Sequence, residues 1–348
     1  MQYSLEFVII MDIVCSTDRV YLKYCITMLL SFFDHHRKER VCVHLLSNGL
    51  QTEEVDKVRV LVEGFKARLE VYTVDGGFLD SLTQGRQSYI SSTTYARLFL
   101  SDILSAEVDK VLYLDCDLIV VDSLVPLWEL PIEETCELAV VEDSCSANMN
   151  YYERLCLPKK YHYFNAGVLL INLEAWRKRG FVRLAMELLD SRTFQLDYAD
   201  QDVLNILCAG RVRYLPFRYN IQEPMLRKYM PEMRSEACME IINELSSPVV
   251  VHFTYKLKPW CYTSFHPYKE HFYHYFDQTE WSGERSVPSW KEYVERFLWW
   301  CASKVNMVNT YHPLPMRMRI RKWKKEHPYL VLGWEYIENT KVENIQKQ

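Results

Sequence analysis

Two carboxylates, Asp115 and Asp117, flank one cysteine at the end of the apolar run Val111 to Leu114. In an extended chain residues i and i+2 point the same way, so both carboxylates can face one ion. Two anionic oxygens suit Mg²⁺ or Mn²⁺, and such ions commonly complete their shells with substrate phosphates. The chemistry such a centre supports is departure of a phosphate or diphosphate, whose developing charge the ion neutralises. The same three-letter pattern can also cap a strand in an ordinary polar turn. The apolar run before it and a second at Leu118 to Val121 weigh against a bare turn. A phosphatase of the haloacid dehalogenase type also carries such a pair after a strand. There it lies near the N-terminus and continues with Thr or Val two residues on, whereas here over a hundred residues come first and Ile119 takes that place.

A carboxylate pair of this kind must sit at the carboxyl edge of a sheet, where open α/β folds bind ligands. The chain supplies such a sheet. Phe7 to Cys15 reads as a buried strand, and a helical pattern runs through Tyr24, Met28, Leu29 and Phe32. Val41 to Leu46 reads as a second strand, Glu53 to Phe65 as a polar helix, and Leu69 to Val74 as a third strand. These strand–helix alternations predict βαβ units and a mostly parallel sheet. Thr94 to Leu104 reads as helical and leads into the strand before Asp115. Leu138 to Val141, Gly167 to Asn172 and Val249 to Phe253 read as further strands, and Asp200 to Cys208 as a helix.

Composition narrows the class. The 348 residues are about half apolar, enough for a sizeable core, and the net charge of −5 argues against a nucleic-acid partner. Eleven cysteines are scattered without a CxxC pair, which suggests neither a zinc site nor a redox motif and fits reduced, buried thiols in a cytoplasmic protein. The N-terminus lacks a basic leader, and no apolar stretch approaches the roughly 20 residues that span a bilayer.

Four blocks in order resemble glycosyltransferase family 8, particularly the bacterial lipopolysaccharide galactosyl- and glucosyltransferases. They are Ser92 to Leu130 around the carboxylate pair, Tyr163 to Asn172 (YFNAGVLLIN), Asp200 to Asn205 (DQDVLN), and His252 to Trp260 (HFTYKLKPW). The resemblance covers roughly residues 7 to 260 and implies a GT-A type, Rossmann-like α/β fold with a mostly parallel mixed sheet. It implies retaining transfer of galactose or glucose from a UDP-sugar to a hydroxyl of a glycan or lipid-linked saccharide. Asp115, Asp117 and His252 would then hold Mn²⁺ (Mg²⁺ being the other candidate), and Lys258 would meet the diphosphate. Asp18 and Tyr21 would meet the uridine, Arg97 the donor, and Asn165 and Asp200 the donor sugar. Gln201 would lie at the reactive face. Because an amide is a poor nucleophile, the family is described by front-face substitution, with the leaving phosphate helping to deprotonate the acceptor; Asp202 is a second carboxylate at hand. Read without the family, each has a plainer role: His252 a hydrogen-bonded core residue, Lys258 a solvated loop lysine, Arg97 a surface ion pair. Asp18, Asn165 and Asp200 would be turn and helix caps, and Asp202 a structural hydrogen-bonding residue. Tyr255 departs from the pattern, standing where relatives commonly carry glycine, and puts the Lys258 loop in doubt.

Residues 1–280 read as the transferase domain and 281–348 as a C-terminal helical appendage. In the appendage, Phe297 to Trp300 and Trp323 bracket Arg317, Arg319, Arg321, Lys322, Lys324 and Lys325. This mixture suits an anionic membrane surface, as on the inner face of the cell membrane, and equally a solvated helix packed through its aromatics. Loops around 144–162 and 219–243 are the candidates for choosing the acceptor. The rival readings are a self-glucosylating relative and a catalytically silent nucleotide-sugar or glycan-binding module.

Overall fold

Runs rich in Val, Ile and Leu form strands here because both faces of the sheet are covered, as parallel sheets require. The strands are β1 (Ile10–Asp18), β2 (Arg40–Asn48), β3 (Arg68–Thr73), β4 (Lys110–Leu114), β5 (Leu118–Val120) and β6 (Leu138–Glu142). They continue with β7 (Phe164–Asn172), β8 (Val212–Tyr214), β9 (Ile221–Gln222) and β10 (Val250–His252). The computed structural model describes residues 10–83, 92–158 and 160–312. These divide into two compact units. The first comprises the described residues up to Met225 together with Met230–Tyr255; the second comprises Leu226–Tyr229 and those from Lys256 onward.

In the first unit seven strands form one sheet in the order β3-β2-β1-β4-β7-β6-β8. The pairs β3-β2, β2-β1, β1-β4 and β6-β8 are parallel, so the sheet is mostly parallel, as expected. The chain runs outward from β1 through β2 to β3, then returns to lay β4 on the other side of β1. That reversal opens a crevice at the carboxyl ends of β1 and β4. β7 is inserted antiparallel to both β4 and β6. Leu118 to Val121, expected as a strand, does form one, but in a separate small sheet of order β5-β10-β9, with β10 antiparallel to β5. Strands β8 and β9 span three and two residues, too short to leave an alternation that sequence reading can detect. Thr94 to Leu104 is helical as a 3₁₀ stretch over Ser92–Phe99 followed by one α-turn, Leu100–Ile103. Hydroxyl side chains at its start compete for backbone groups and disfavour a regular α-helix.

The core of this unit packs Leu98, Tyr113, Phe164, Leu169 and Trp176, with the Trp176 and Phe181 rings stacked 3.9 Å apart. Six of the eleven cysteines are buried as free thiols. The helix Leu22–His35 is tied to the small sheet by two buried side chains. Ser31 Oγ accepts the Val120 N–H at 2.9 Å, and His36 Nε2, at the helix C-cap, accepts the Leu124 N–H at 2.8 Å.

The second unit contains the helices Lys269–Phe276 and Trp290–Lys304. The latter is opened by a capping box in which Ser289 and Glu292 satisfy each other's backbone N–H groups. An antiparallel bridge joins Arg227 to Tyr311. Trp323 and the basic residues from Arg317 to Lys325 lie outside the described residues. Among the described residues no helix is long and apolar enough to cross a membrane.

Burial lowers the His36 imidazole below its ordinary range, with the hydrogen bond from Nδ1 to the Phe32 carbonyl pulling the other way; the neutral ring accepts the Leu124 N–H at Nε2. A depressed folded-state pKa means stability present above the unfolded value of about 6.5 and lost as pH falls below it. We expect urea-unfolding stability to decline from pH 7 to 5. The decline should be shallower in His36→Gln; an unchanged slope would remove His36 from the account.

Candidate active site

The turn Asp115-Cys116-Asp117 is gripped from both sides. The Asp115 N–H donates to the Gly167 carbonyl at 2.9 Å, and the Phe253 N–H donates to the Asp117 carbonyl at 2.9 Å. Both grips come from the antiparallel insertions. β7 runs against β4, so its first residues, including Asn165, reach the carboxyl edge where Asp115 emerges. β10 runs against β5, which pairs His252 with Leu118, just past Asp117.

The result is a cluster in which one donor atom each from Asp115, Asp117 and His252 lie within 4.8 Å of one another. His252 Nε2 is 3.2 Å from Asp117 Oδ1 and 3.9 Å from Asp115 Oδ2. His252 Nδ1 is 3.1 Å from Asn220 Oδ1, and with Nδ1 protonated toward that oxygen the Nε2 lone pair is left facing the carboxylates. Gly167 makes room for the ring: a Cβ there would collide with the imidazole. Two carboxylates and one oriented imidazole fit a divalent cation that accepts mixed oxygen and nitrogen donors, Mn²⁺ more readily than Mg²⁺.

Arg97 is buried and bridges this cluster to the next residues. Its Nη2 lies 2.8 Å from Asp115 Oδ1, its Nε 2.9 Å from Asp200 Oδ2, and its Nη1 donates to the Ala166 carbonyl at 2.5 Å. The guanidinium also sits over the Tyr113 ring at 4.2 Å. Burial pushes the Asp200 carboxyl up to about 6, against the opposing pull of Arg97.

A second group surrounds Gln201. Its amide is held at both ends: Oε1 accepts from the Ala166 N–H at 2.9 Å and from Asn165 Nδ2 at 3.3 Å, while Nε2 donates to Asp143 Oδ2 at 3.3 Å and Tyr163 Oη at 3.2 Å. Asn165 Oδ1 accepts from Asn220 Nδ2 at 2.9 Å, so hydrogen bonds run unbroken from His252 through Asn220 and Asn165 to Gln201. Asp202 is fully buried. It receives a two-pronged contact from Arg154 at 2.6 and 3.1 Å, the Tyr163 hydroxyl at 2.7 Å and the Tyr198 N–H at 2.9 Å.

The remaining expected residues are placed as follows. Asp18 ends β1, where its Oδ1 accepts the Val20 and Tyr21 N–H groups at 2.9 Å each, opening the helix Leu22–His35. The Tyr21 ring packs edge-on against Tyr24 at 5.4 Å. Tyr255 takes the left-handed backbone conformation (φ 70°), so the shape that favours glycine persists despite the side chain, whose hydroxyl lies 3.7 Å from Cys145 Sγ. Lys258 belongs to the second unit, in a turn where its carbonyl accepts the Cys261 N–H at 2.9 Å.

Asp143, Asn220 and Arg154 carry no role in the sequence pattern, and Tyr163 enters it only as the first residue of a block. Asp143 follows a buried strand as Asp115 does, which was a usable signal. Its carboxyl is raised by burial while hydrogen bonds from the Cys145 N–H, Asn165 and Gln201 pull the other way. Asn220 stands in a segment with no periodicity and left none. The loops suspected of choosing an acceptor are joined: Arg234 pairs with Glu142 at 2.7 Å, and the Ala147 N–H donates to the Glu232 carbonyl at 2.9 Å.

Comparison with known proteins bears on this arrangement. Residues 12–264 match the family described as Glycosyl transferase family 8. General stress protein A of Bacillus subtilis (strain 168) is 26% identical over 280 residues, covering 78% of this chain and 95% of that protein. A lipopolysaccharide 1,2-glucosyltransferase of Escherichia coli is 28% identical over 263 residues, covering 75% of each. The crystal structure of galactosyltransferase LgtC in complex with donor and acceptor sugar analogues superposes with a TM-score of 0.69 at 28% identity, covering 82% of this chain and all of that one. The fold is therefore GT-A, with the mixed, mostly parallel sheet described above.

Asn220 touches no carboxylate of the cluster yet fixes the imidazole, so Asn220→Ala should lower Mn²⁺ affinity about 10–100-fold, the usual effect of losing an outer-shell partner. Gly167→Ala should do the same by displacing the ring. Isothermal titration with Mn²⁺ on folded variants checks both, and wild-type affinity in either would detach His252 from the ion.

Proposed function

Because this chain belongs to glycosyltransferase family 8, we propose that it transfers a hexose, galactose or glucose, from a UDP-sugar to a hydroxyl of a glycan or lipid-linked saccharide. Transfer proceeds with retention at the anomeric carbon and depends on Mn²⁺. The observation that carries this reading is the meeting of Asp115, Asp117 and His252 at the carboxyl edge beside the crevice between β1 and β4. These three residues would hold the ion, which when bound supplies charge stabilisation to a departing diphosphate.

The chain's own residues then divide the work. Arg97 keeps the Asp115 and Asp200 carboxylates apart and neutralised, so Asp200 can accept hydrogen bonds from sugar hydroxyls without repelling the anionic donor. Asn165 and Gln201 lie along one hydrogen-bonded chain and orient the sugar. Since all four hydrogen-bonding directions of the Gln201 amide have partners, Gln201 acts by position and the front-face route is favoured over covalent attack. Asp202, enclosed by Arg154 and Tyr163, is a positioning residue that holds the start of the helix Ala199–Leu207. Asp18 and Tyr21 meet the uridine and Lys258 the diphosphate, as the family resemblance implies.

The C-terminal appendage, residues 281–348, would hold the enzyme at an anionic membrane surface. In the helix Trp290–Lys304, Arg296 and Trp299 are partly covered against Phe265, and the half-exposed Tyr293 touches Tyr262 edge-on. Trp290, Phe297, Leu298 and Trp300 are left at least half exposed. Exposed aromatics of this kind insert at the headgroup boundary.

A thermal-shift panel of UDP, GDP and nucleotide sugars with and without Mn²⁺ tests the donor assignment. At a hundredfold excess over Kd a ligand specific to the folded state adds about 2.7 kcal/mol. We expect a Mn²⁺-dependent shift for UDP-sugars, absent in Asp117→Ala, and a drop in turnover of at least about 10²-fold in that variant. No shift with any nucleotide would favour a silent binding module. Flotation with vesicles containing anionic lipid tests the membrane reading: salt-sensitive binding should weaken when Trp290, Phe297 and Trp300 are all changed to Ser. Equal binding by that variant would dismiss this helix as the anchor.

A further inference from the structure

Toward the amino ends of β1 and β2, away from the carboxyl edge, a second set of donor atoms converges. Asp12 on β1 stands in register with Cys42 on β2, and His44 lies two residues further along β2 on the same face. One donor atom from each lies within 4.8 Å of the others. Cys42 and His44 are buried, while the Asp12 side chain keeps about a fifth of its surface open, leaving a path for an ion to enter. The residues around them are arranged as an outer shell would be. Tyr72 Oη lies 3.2 Å from His44 Nδ1; an Nδ1–H donating to it directs Nε2 toward Asp12 Oδ1, 2.9 Å away. Arg68 Nε donates to Cys42 Sγ at 3.3 Å, and Glu70 in turn pairs with Arg68 at 3.2 Å.

We propose that Asp12, Cys42 and His44 form a second metal site, selective for a thiophilic divalent cation such as Zn²⁺. The argument for selectivity is donor chemistry. A thiolate and an imidazole beside one carboxylate favour Zn²⁺ or Co²⁺ over Mn²⁺ and Mg²⁺, whereas Asp115, Asp117 and His252 offer two oxygens and one nitrogen. Three protein ligands leave a fourth position to solvent on the Asp12 side. An ion there clips β1 to β2 at the end of the sheet away from the first cluster, so its effect is on stability and not on donor binding.

The test is titration of the full-length, metal-free protein with Co²⁺, followed by absorption, in wild type and in Asp117→Ala. We expect a thiolate-to-cobalt charge-transfer band at one equivalent in both proteins, displaced by Zn²⁺ and untouched by excess Mn²⁺. The band should vanish in Cys42→Ser. Tyr72→Phe, which leaves all three ligands in place, should bind Zn²⁺ about tenfold more weakly or worse. Circular dichroism establishes that each variant is folded. No charge-transfer band in wild type, the same band in folded Cys42→Ser, or undiminished Zn²⁺ affinity in Tyr72→Phe would overturn the site. None of these outcomes depends on whether UDP-sugars bind, so the proposal stands or falls apart from the donor assignment.

Discussion

The arrangement of this chain depends on two backbone hydrogen bonds that hold the Asp115-Cys116-Asp117 turn, one from the Asp115 N–H to Gly167 and one from the Phe253 N–H to Asp117. Each joins the turn to a strand running against its neighbour. A purely parallel sheet would bring only strand ends and their following loops to this edge. By reversing β7 and β10 the fold delivers the start of one strand, with Asn165, and the end of another, with His252, to the same few ångströms. The absence of a side chain at Gly167 lets the imidazole occupy the remaining space.

Once the turn is held, charge is managed by burial and pairing. Arg97 is a single cation between two carboxylates, and its position also accounts for the carboxyl of Asp200 being raised only to about 6 in a fully enclosed setting. Removing one member of such a buried group leaves another charge uncompensated, which costs more than the intact group contributes. Arg97, Asp200 and Asp115 are therefore coupled, and changes at them will not add. The neutral part of the site is built differently. Asn220, Asn165 and Gln201 pass hydrogen bonds along one chain, so orientation there is carried by amides that cannot ionise.

Much of this was legible in the sequence. The runs at Val41, Val111 and Leu138 are buried strands because apolar residues dominate them, while the run at Leu69 is an edge strand carrying Glu70, with Leu69 alone buried; the fold class follows from their alternation with helical patterns. The carboxylate pair was visible because a strand precedes it. Tyr255 stands where the family resemblance implies glycine, and the loop keeps a left-handed backbone there, with the side chain more than half exposed and its hydroxyl near Cys145. Asn220 and Arg154 left no signal: Asn220 sits in an aperiodic segment, Arg154 ends the helix Met149–Arg154, whose 6 residues are too few to show a period, and they act through partners 32 and 48 residues away, His252 and Asp202 respectively.

The sequence by itself determined the α/β class, the run of strands, the Asp115–Asp117 pair and the family blocks, because these are written in local hydrophobic pattern and in residues close together in the chain. Tertiary structure decided that His252 faces that pair, that Arg97 joins Asp115 to Asp200, that Asp202 is enclosed by Arg154, and that Asp12 meets Cys42 and His44. Those contacts depend on which strands are neighbours and in which direction they run. Strand order and direction are set by the packing of the whole unit, so no local pattern encodes them.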